Sequence, residues 1–342
     1  SEPFRLSLRE EIQMKSRTTM MTASVVALAL GTAATAQDTI KIGLAPYGLN
    51  AEFMQLWTNA AEQHPAVTSG LVELTVFDGR YDALVQQDQF ETMITQGFDA
   101  IVFAPIDVEA GATAVQLAHD AGIPVVGSNT RVNSDLLTSY VGSDDVQAGY
   151  LEAKAVLDKM GCTGAVVVIE GPIGQSAQIQ RGEGNEKALA ECPEVTVLEQ
   201  QTANWSRAEA QSLMENWLTS HGENIKGVIA QNDEMALGAI EAIKAAGMDV
   251  SDFAIAGVDG VTDALNAVKA GQMASILQDG AAQAQGAIDV AIKAVKPDYE
   301  PMSEIWSQYP DMPWNGGTDA EYNVPWTPVT AENVDDLLAA RQ

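Results

Sequence analysis

The stretch KGVIAQNDEMALGAIEAIKAAGMDVSDFAIAGV, residues 226–258, decides the fold. It opens on a short apolar run, KGVIAQ, of strand length. Asn232 and Asp233 then stand where a helix cap belongs, and Asp233 is expected to cap the amphipathic segment that runs to Ala246. Gly247 closes that helix, and DFAIAGV (252–258) supplies a second apolar run. Strand, helix, strand with almost no polar residues in the strands is the βαβ unit of a parallel sheet covered on both faces.

The same rhythm fills most of the chain. Strands are expected at TIKIGLA (39–45), LVELTVF (71–77), DAIVFA (99–104), IPVVGS (123–128), AVVVIE (165–170), EVTVLEQ (194–200) and MASIL (273–277). Helical patterns at 51–64, 82–96 and 108–121 lie between the first of them. Nine strands are too many for one small sheet, and they divide near Tyr140. The reading is therefore α/β, with two Rossmann-like lobes of parallel strands joined by a hinge. LLTSYVGSDD (136–145) is read as a chain crossing between the lobes. The expected boundaries are 37–141 plus about 279–308 for the N-terminal lobe and 142–278 for the C-terminal lobe. Residues 309–342 form a Pro/Trp-rich arm and a terminal helix. Six of the 13 prolines fall between Pro297 and Pro328, with Trp306, Trp314 and Trp326, so an ordered arm packed on a lobe is expected, and then a helix capped by Thr330.

Composition limits the function. The 342 residues carry 18 basic and 47 acidic side chains, a net charge of −29, which opposes binding to nucleic-acid phosphates or an anionic membrane. The apolar run TASVVALALG (22–31) is too short to span a bilayer, but Met14, Lys15 and Arg17 precede it and Ala34-Thr35-Ala36 follows. Residues 14–36 read as a secretory signal peptide cleaved near Ala36, with Met14 as the initiator and residues 1–13 outside the fold. The exported remainder keeps 14 basic and 44 acidic residues, net −30. The expected location is the bacterial periplasm. Cys162 and Cys192 each precede a strand of one βαβ unit, and a disulfide between them fits that compartment. No metal is expected, since His64, His119 and His221 are scattered.

In open α/β sheets ligands bind beyond the carboxyl ends of the strands. Those ends carry Tyr47, Asn50 and Phe53; Asn129, Thr130 and Arg131; Gly171 and, on the next helix, Arg181; then Trp205, Asn232, Asp259 and Gln278. Aromatic rings, amides, one or two guanidiniums and a carboxylate suit a small, neutral, polyhydroxylated ligand. No GxSxG elbow, P-loop, GxGxxG or HExxH motif is present, and neither catalysis nor a cofactor is expected.

AQNDEMALGAIEAIKAAG (230–247), IQRGEG (179–184) and GVDG (257–260), within a likeness covering most of 39–296, resemble the periplasmic sugar-binding proteins of ABC transporters, ribose-binding type, a type I periplasmic binding fold. The resemblance implies a hinge-closing receptor that delivers its solute to a membrane permease, works as a monomer and is compatible with docking to a chemoreceptor. It implies sugar contacts from Arg181, Trp205, Asn232, Asp259 and Gln278, with Phe53 from the N-terminal lobe. The chain departs from the ribose pattern with Met54 in place of a second aromatic and Asn129-Thr130 in place of an Asp-Arg pair, Arg131 lying one place later. Residues 300–321 read as an insertion. The expected ligand is a modified pentose, a cyclitol or a sugar alcohol. A sugar-responsive transcription regulator of this fold would need a basic DNA-binding head, and an exported carbohydrate-active enzyme is the alternative reading.

Overall fold

The structure is a computed structural model that describes residues 39–341. The segment read as a signal peptide, 14–36, and residues 1–13 lie outside the described residues. Twelve strands occur among those described: β1 (Ile40–Ala45), β2 (Val72–Val76), β3 (Ala100–Phe103), β4 (Val125–Ser128), β5 (Ser139–Gly142), β6 (Gly164–Glu170), β7 (Val195–Thr202), β8 (Ile225–Ala230), β9 (Ala254–Asp259), β10 (Ala274–Leu277), β11 (Glu321–Asn323) and β12 (Thr327–Pro328).

They form two six-stranded sheets of the same order, β2-β1-β3-β4-β5-β11 and β7-β6-β8-β9-β10-β12. All pairings are parallel except β10 with β12. Strands β3, β4, β5 and β9 are buried along their whole length, as helices on both faces require. In each sheet the order reverses beside the first strand, at β1/β3 and at β6/β8. Loops diverge there and leave a crevice at the carboxyl ends.

The chain crosses between the sheets three times. It passes from β5 into helix Asp145–Met160, from β10 into helix Gly280–Val295, which packs on β3, β4 and β5, and from β11 to β12. Two of these segments differ from the sequence reading. SYVG, inside the stretch read as a crossing, is strand β5, and the crossing follows it. The arm adds one edge strand to each sheet, β11 beside β5 and β12 beside β10. Strands of three and two residues among prolines are too short to show an alternating pattern. The terminal helix, Val334–Ala339, has Asn333 at its cap position, and Thr330 lies in the preceding turn.

Some of the acidity is explained locally. Asp82, Asp107, Asp144 and Asp279 each accept backbone N–H groups at the start of a helix. No helix among the described residues is long and apolar enough to cross a membrane.

Cys162 and Cys192 are joined as a disulfide, with Cα atoms 5.0 Å apart at the starts of the paired strands β6 and β7. The bridge closes a loop of 30 residues in sequence separation. Opening it with reductant is expected to lower unfolding free energy by about 3–4 kcal/mol on the loop-entropy estimate. Urea denaturation with and without reductant measures this, and coincident curves would refute it.

Candidate functional site

Arg181 organises the cleft. It lies on helix Ser176–Ala190, which crosses helix Asp145–Met160 so closely that a Cβ on Gly184 would stand 2.2 Å from the Val146 carbonyl oxygen. Glycine there lets Arg181, 4% exposed, reach beneath the strand ends. Its Nε donates to Asp145 Oδ1 at 2.8 Å and its Nη1 to the Gln231 carbonyl at 2.5 Å. Asp259 Oδ1 stands 3.9 Å from Nη1. The guanidinium lies 5.5 Å from the Trp205 ring and 5.6 Å from that of Trp326, within cation–π range.

The loop after β7 delivers Trp205. Asn204 and Trp205 both take left-handed backbone angles (φ 53° and 62°), and the indole packs where Gly171 has no side chain. Its Nε1 donates to Gln175 Oε1 at 2.6 Å, and Gln175 Nε2 donates across the cleft to the Pro105 carbonyl at 3.1 Å.

Asp259 ends β9 with φ 125°, and its carboxylate makes no hydrogen bond to the described residues. Burial raises its pKa well above the ordinary value, against the opposing pull of Arg181. Beside it, Gln278 donates its backbone N–H to the Asp259 carbonyl at 3.1 Å, and both atoms of its side-chain amide are buried without a partner. Asn232 caps its helix through Oδ1 to the Met235 N–H at 2.9 Å. Asp233, expected as the cap, has another task. Fully buried, it accepts the N–H groups of Gly260 (2.6 Å) and Val261 (3.1 Å) and the Ser275 hydroxyl, and so holds the loop that carries Asp259. Burial outweighs those donors and pushes its pKa up to about 7.

From the other lobe come Tyr47 and Tyr81, packed edge to face at 5.5 Å. The charges of Asp259, Arg181 and Asp145 all act on the buried Tyr47 hydroxyl, whose pKa burial raises well above its usual value. Phe53 is buried against Gly280, next to a groove that includes Leu277 and Gln278. Asn50 is exposed at the mouth, in a cavity of about 450 Å³ shared with Tyr81, Asn204 and Trp205.

Asn129 and Arg131 sit toward the hinge. Asn129 Nδ2 donates to Gln283 Oε1 at 3.2 Å, and Gln283 in turn donates to the Ser143 hydroxyl. The Arg131 guanidinium is engaged bidentately by Glu321 of β11 and lies 3.9 Å over the Tyr140 ring. Its ionic partner is thus the arm. Sequence reasoning missed Asp145 and Gln175. In the pair Asp144-Asp145 the first caps the helix and the second turns inward, and nothing in the composition says which does which.

The lobes touch across the cleft. The Val108 N–H donates to the Gly174 carbonyl (3.1 Å), the Arg131 N–H to the Ser176 hydroxyl (2.7 Å), and the Thr262 N–H to Glu52 Oε1 (3.0 Å). This is a closed arrangement around a buried polar site.

Two stacked, doubly wound lobes with a polar site between them define a class of hinged binding proteins, and comparison with known proteins agrees. Residues 42–298 match the family described as "Periplasmic binding protein domain", and the chain belongs to that family. It is 36% identical over 273 residues to the xylitol-binding protein of Mycolicibacterium smegmatis, covering 80% of this chain and 77% of that one. It is 36% identical over 279 residues to a putative rhizopine-binding protein of Rhizobium meliloti, covering 80% and 89%. An ABC transporter solute binding protein from Bacillus halodurans, solved with bound myo-inositol, superposes with a TM-score of 0.77 at 33% identity, covering 88% of this chain and 98% of that one.

Proposed function

We propose that the chain is the solute receptor of an ABC importer, capturing a sugar or sugar alcohol between its lobes and handing it to the membrane permease. The observation that carries the reading is Gln278, whose side-chain amide is buried without a partner, beside Asp259, whose buried carboxylate accepts no hydrogen bond from the described residues and meets Arg181 only at 3.9 Å, at the strand ends of a closed cleft lined by aromatic rings. Buried polar groups are costly unless satisfied, and ligand hydroxyls would satisfy these. The ligands of these relatives, xylitol, rhizopine and myo-inositol, support a pentitol or cyclitol over plain ribose. The site residues proposed for ligand contact are Phe53, Arg181, Trp205, Asn232, Asp259 and Gln278, with Asn50 at the mouth and Asn129 and Arg131 on the hinge side. Ligand would hold the lobes closed by preferring that state, without turnover. The leader read at residues 14–36 and the disulfide support delivery to the periplasm, where the receptor works as a monomer.

A thermal-shift panel of aldoses, ketoses, inositols and C4–C6 alditols tests this. The true ligand is expected to stabilise the protein by about 2.7 kcal/mol at a hundred times its dissociation constant. Trp205 fluorescence should change with the same midpoint. A flat panel would sink the carbohydrate reading.

A further inference from the structure

Building on the sugar or polyol receptor reading, we infer that Glu52 is a positioning residue that works across the cleft. Its carboxylate caps helix Thr262–Lys269 of the opposite lobe when the lobes are shut, so the N-terminal lobe helps to set the loop carrying Asp259 and strengthens binding without touching the ligand.

A helix without a cap of its own is the starting point. Helices that begin after Asp82, Asp107, Asp144, Asn232 and Asp279 each have that residue's side chain accepting N–H groups of their first turn. Helix Thr262–Lys269 instead has Val261 at its cap position, a side chain with no acceptor to offer. Its leading N–H groups lie outside the helical ladder and need a partner from elsewhere. One comes from the other lobe, 210 residues away in sequence: Glu52 Oε1 accepts the Thr262 N–H at 3.0 Å and the Thr262 hydroxyl at 2.5 Å. A carboxylate in that place also meets the positive end of the helix.

The position of this contact ties it to the site. Gly260, Val261 and Thr262 directly follow Asp259, and two carboxylates take their consecutive N–H groups, Asp233 the first two and Glu52 the third. Asp233 belongs to the same lobe as the loop, so its hold needs no closure. Glu52 opens helix Glu52–Glu62 of the other lobe, one residue before Phe53, and reaches Thr262 only when the lobes meet. Glu52 and Thr262 are both half-buried even here, so in an open form water can serve the carboxylate and the N–H. The contact thus favours the closed state and takes nothing from the open one. A differential interaction of that kind is what shifts a two-state hinge and, through the closed population, the apparent affinity.

Titration calorimetry and stopped-flow tryptophan fluorescence of the intact protein test this, with xylitol, myo-inositol and the other members of the thermal-shift panel as probes. Glu52→Ala is expected to weaken every polyol that binds by about tenfold, the scale of a lost charged cap. The loss should come from faster release, with the association rate within about twofold of wild type. The urea midpoint of the unliganded protein should not move. Glu52→Gln keeps an accepting oxygen and should recover most of the affinity. Thr262→Val should weaken wild type but add little to Glu52→Ala, as coupled partners do. A merely structural role would lower the unliganded midpoint together with affinity, and a direct ligand contact would give losses that differ from one polyol to the next. Either result, a loss carried by the association rate, or binding by Glu52→Ala within about twofold of wild type overturns this inference and leaves the receptor reading standing. A wild type that binds no member of the panel overturns both.

Discussion

Replacing Arg181 by methionine is expected to weaken ligand binding at least a hundredfold and to destabilise the unliganded protein by about 3–5 kcal/mol, the usual cost of removing one partner from a buried ion pair. The side chain is held at three points: Asp145, the Gln231 carbonyl and, at longer range, Asp259. Methionine fills similar space but leaves two buried carboxylates facing each other without a cation. They can respond by taking up protons, which gives the effect a direction with pH. Burial already holds the pKa of Asp145 and of Asp259 above ordinary values with Arg181 present, and its removal raises them further. A carboxyl whose folded pKa lies above its unfolded value contributes stability that is full below the unfolded value and is lost as pH rises through the folded one. The variant should therefore fall further behind the wild type at pH 8 than at pH 5. Titration calorimetry and urea unfolding at the two pH values measure both effects. Arg181→Lys keeps the charge but not the planar fork, and should recover stability more than affinity. A methionine variant that binds within tenfold of wild type would remove Arg181 from the site.

The framework was legible because parallel strands buried on both faces leave runs such as AIVF and AIAGV that little else explains. The rule that ligands sit beyond strand ends then drew attention to Asp259 and Gln278 before any geometry. Three things stayed hidden for physical reasons. Short edge strands such as β11 gain their pairing from the sheet they join, not from their own pattern. Asp145 differs from its capping neighbour Asp144 only in the direction it faces. Arg131, read as a ligand contact, finds its ionic partner Glu321 190 residues further along the chain, a pairing that no local pattern shows.

That arm depends on Asp289, and Asp289→Ala is expected to cost about 3–5 kcal/mol, as loss of a buried charge that satisfies many donors does. The carboxylate is fully buried on helix Gly280–Val295. Its Oδ1 accepts the Tyr299 hydroxyl (2.5 Å) and the Met302 N–H (3.0 Å) and lies 3.1 Å from His64 Nε2. Its Oδ2 accepts the Ser303 N–H (3.3 Å), the Ser303 hydroxyl and Trp306 Nε1 (2.8 Å). His64 Nδ1 accepts the Ala66 N–H, which leaves the ring proton on Nε2, 3.1 Å from the carboxylate. Trp306 then packs on Trp314 at 4.7 Å and on Tyr322 of β11 at 5.1 Å. One carboxylate thus fixes the arm from Tyr299 to the edge strand, and through it the third crossing between the lobes. Its donors hold its pKa below the ordinary 3.8, against burial. A carboxyl depressed in this way contributes stability that is present above the unfolded value and lost as pH falls through the folded one. Wild type should therefore lose this contribution below about pH 4, where the alanine variant has none to lose. Urea unfolding gives the stability difference, and hydrogen exchange should show protection falling first between residues 297 and 323. An unchanged midpoint, or exchange that rises evenly over the whole chain, would mean that the arm is held by its aromatic packing and not by this carboxylate.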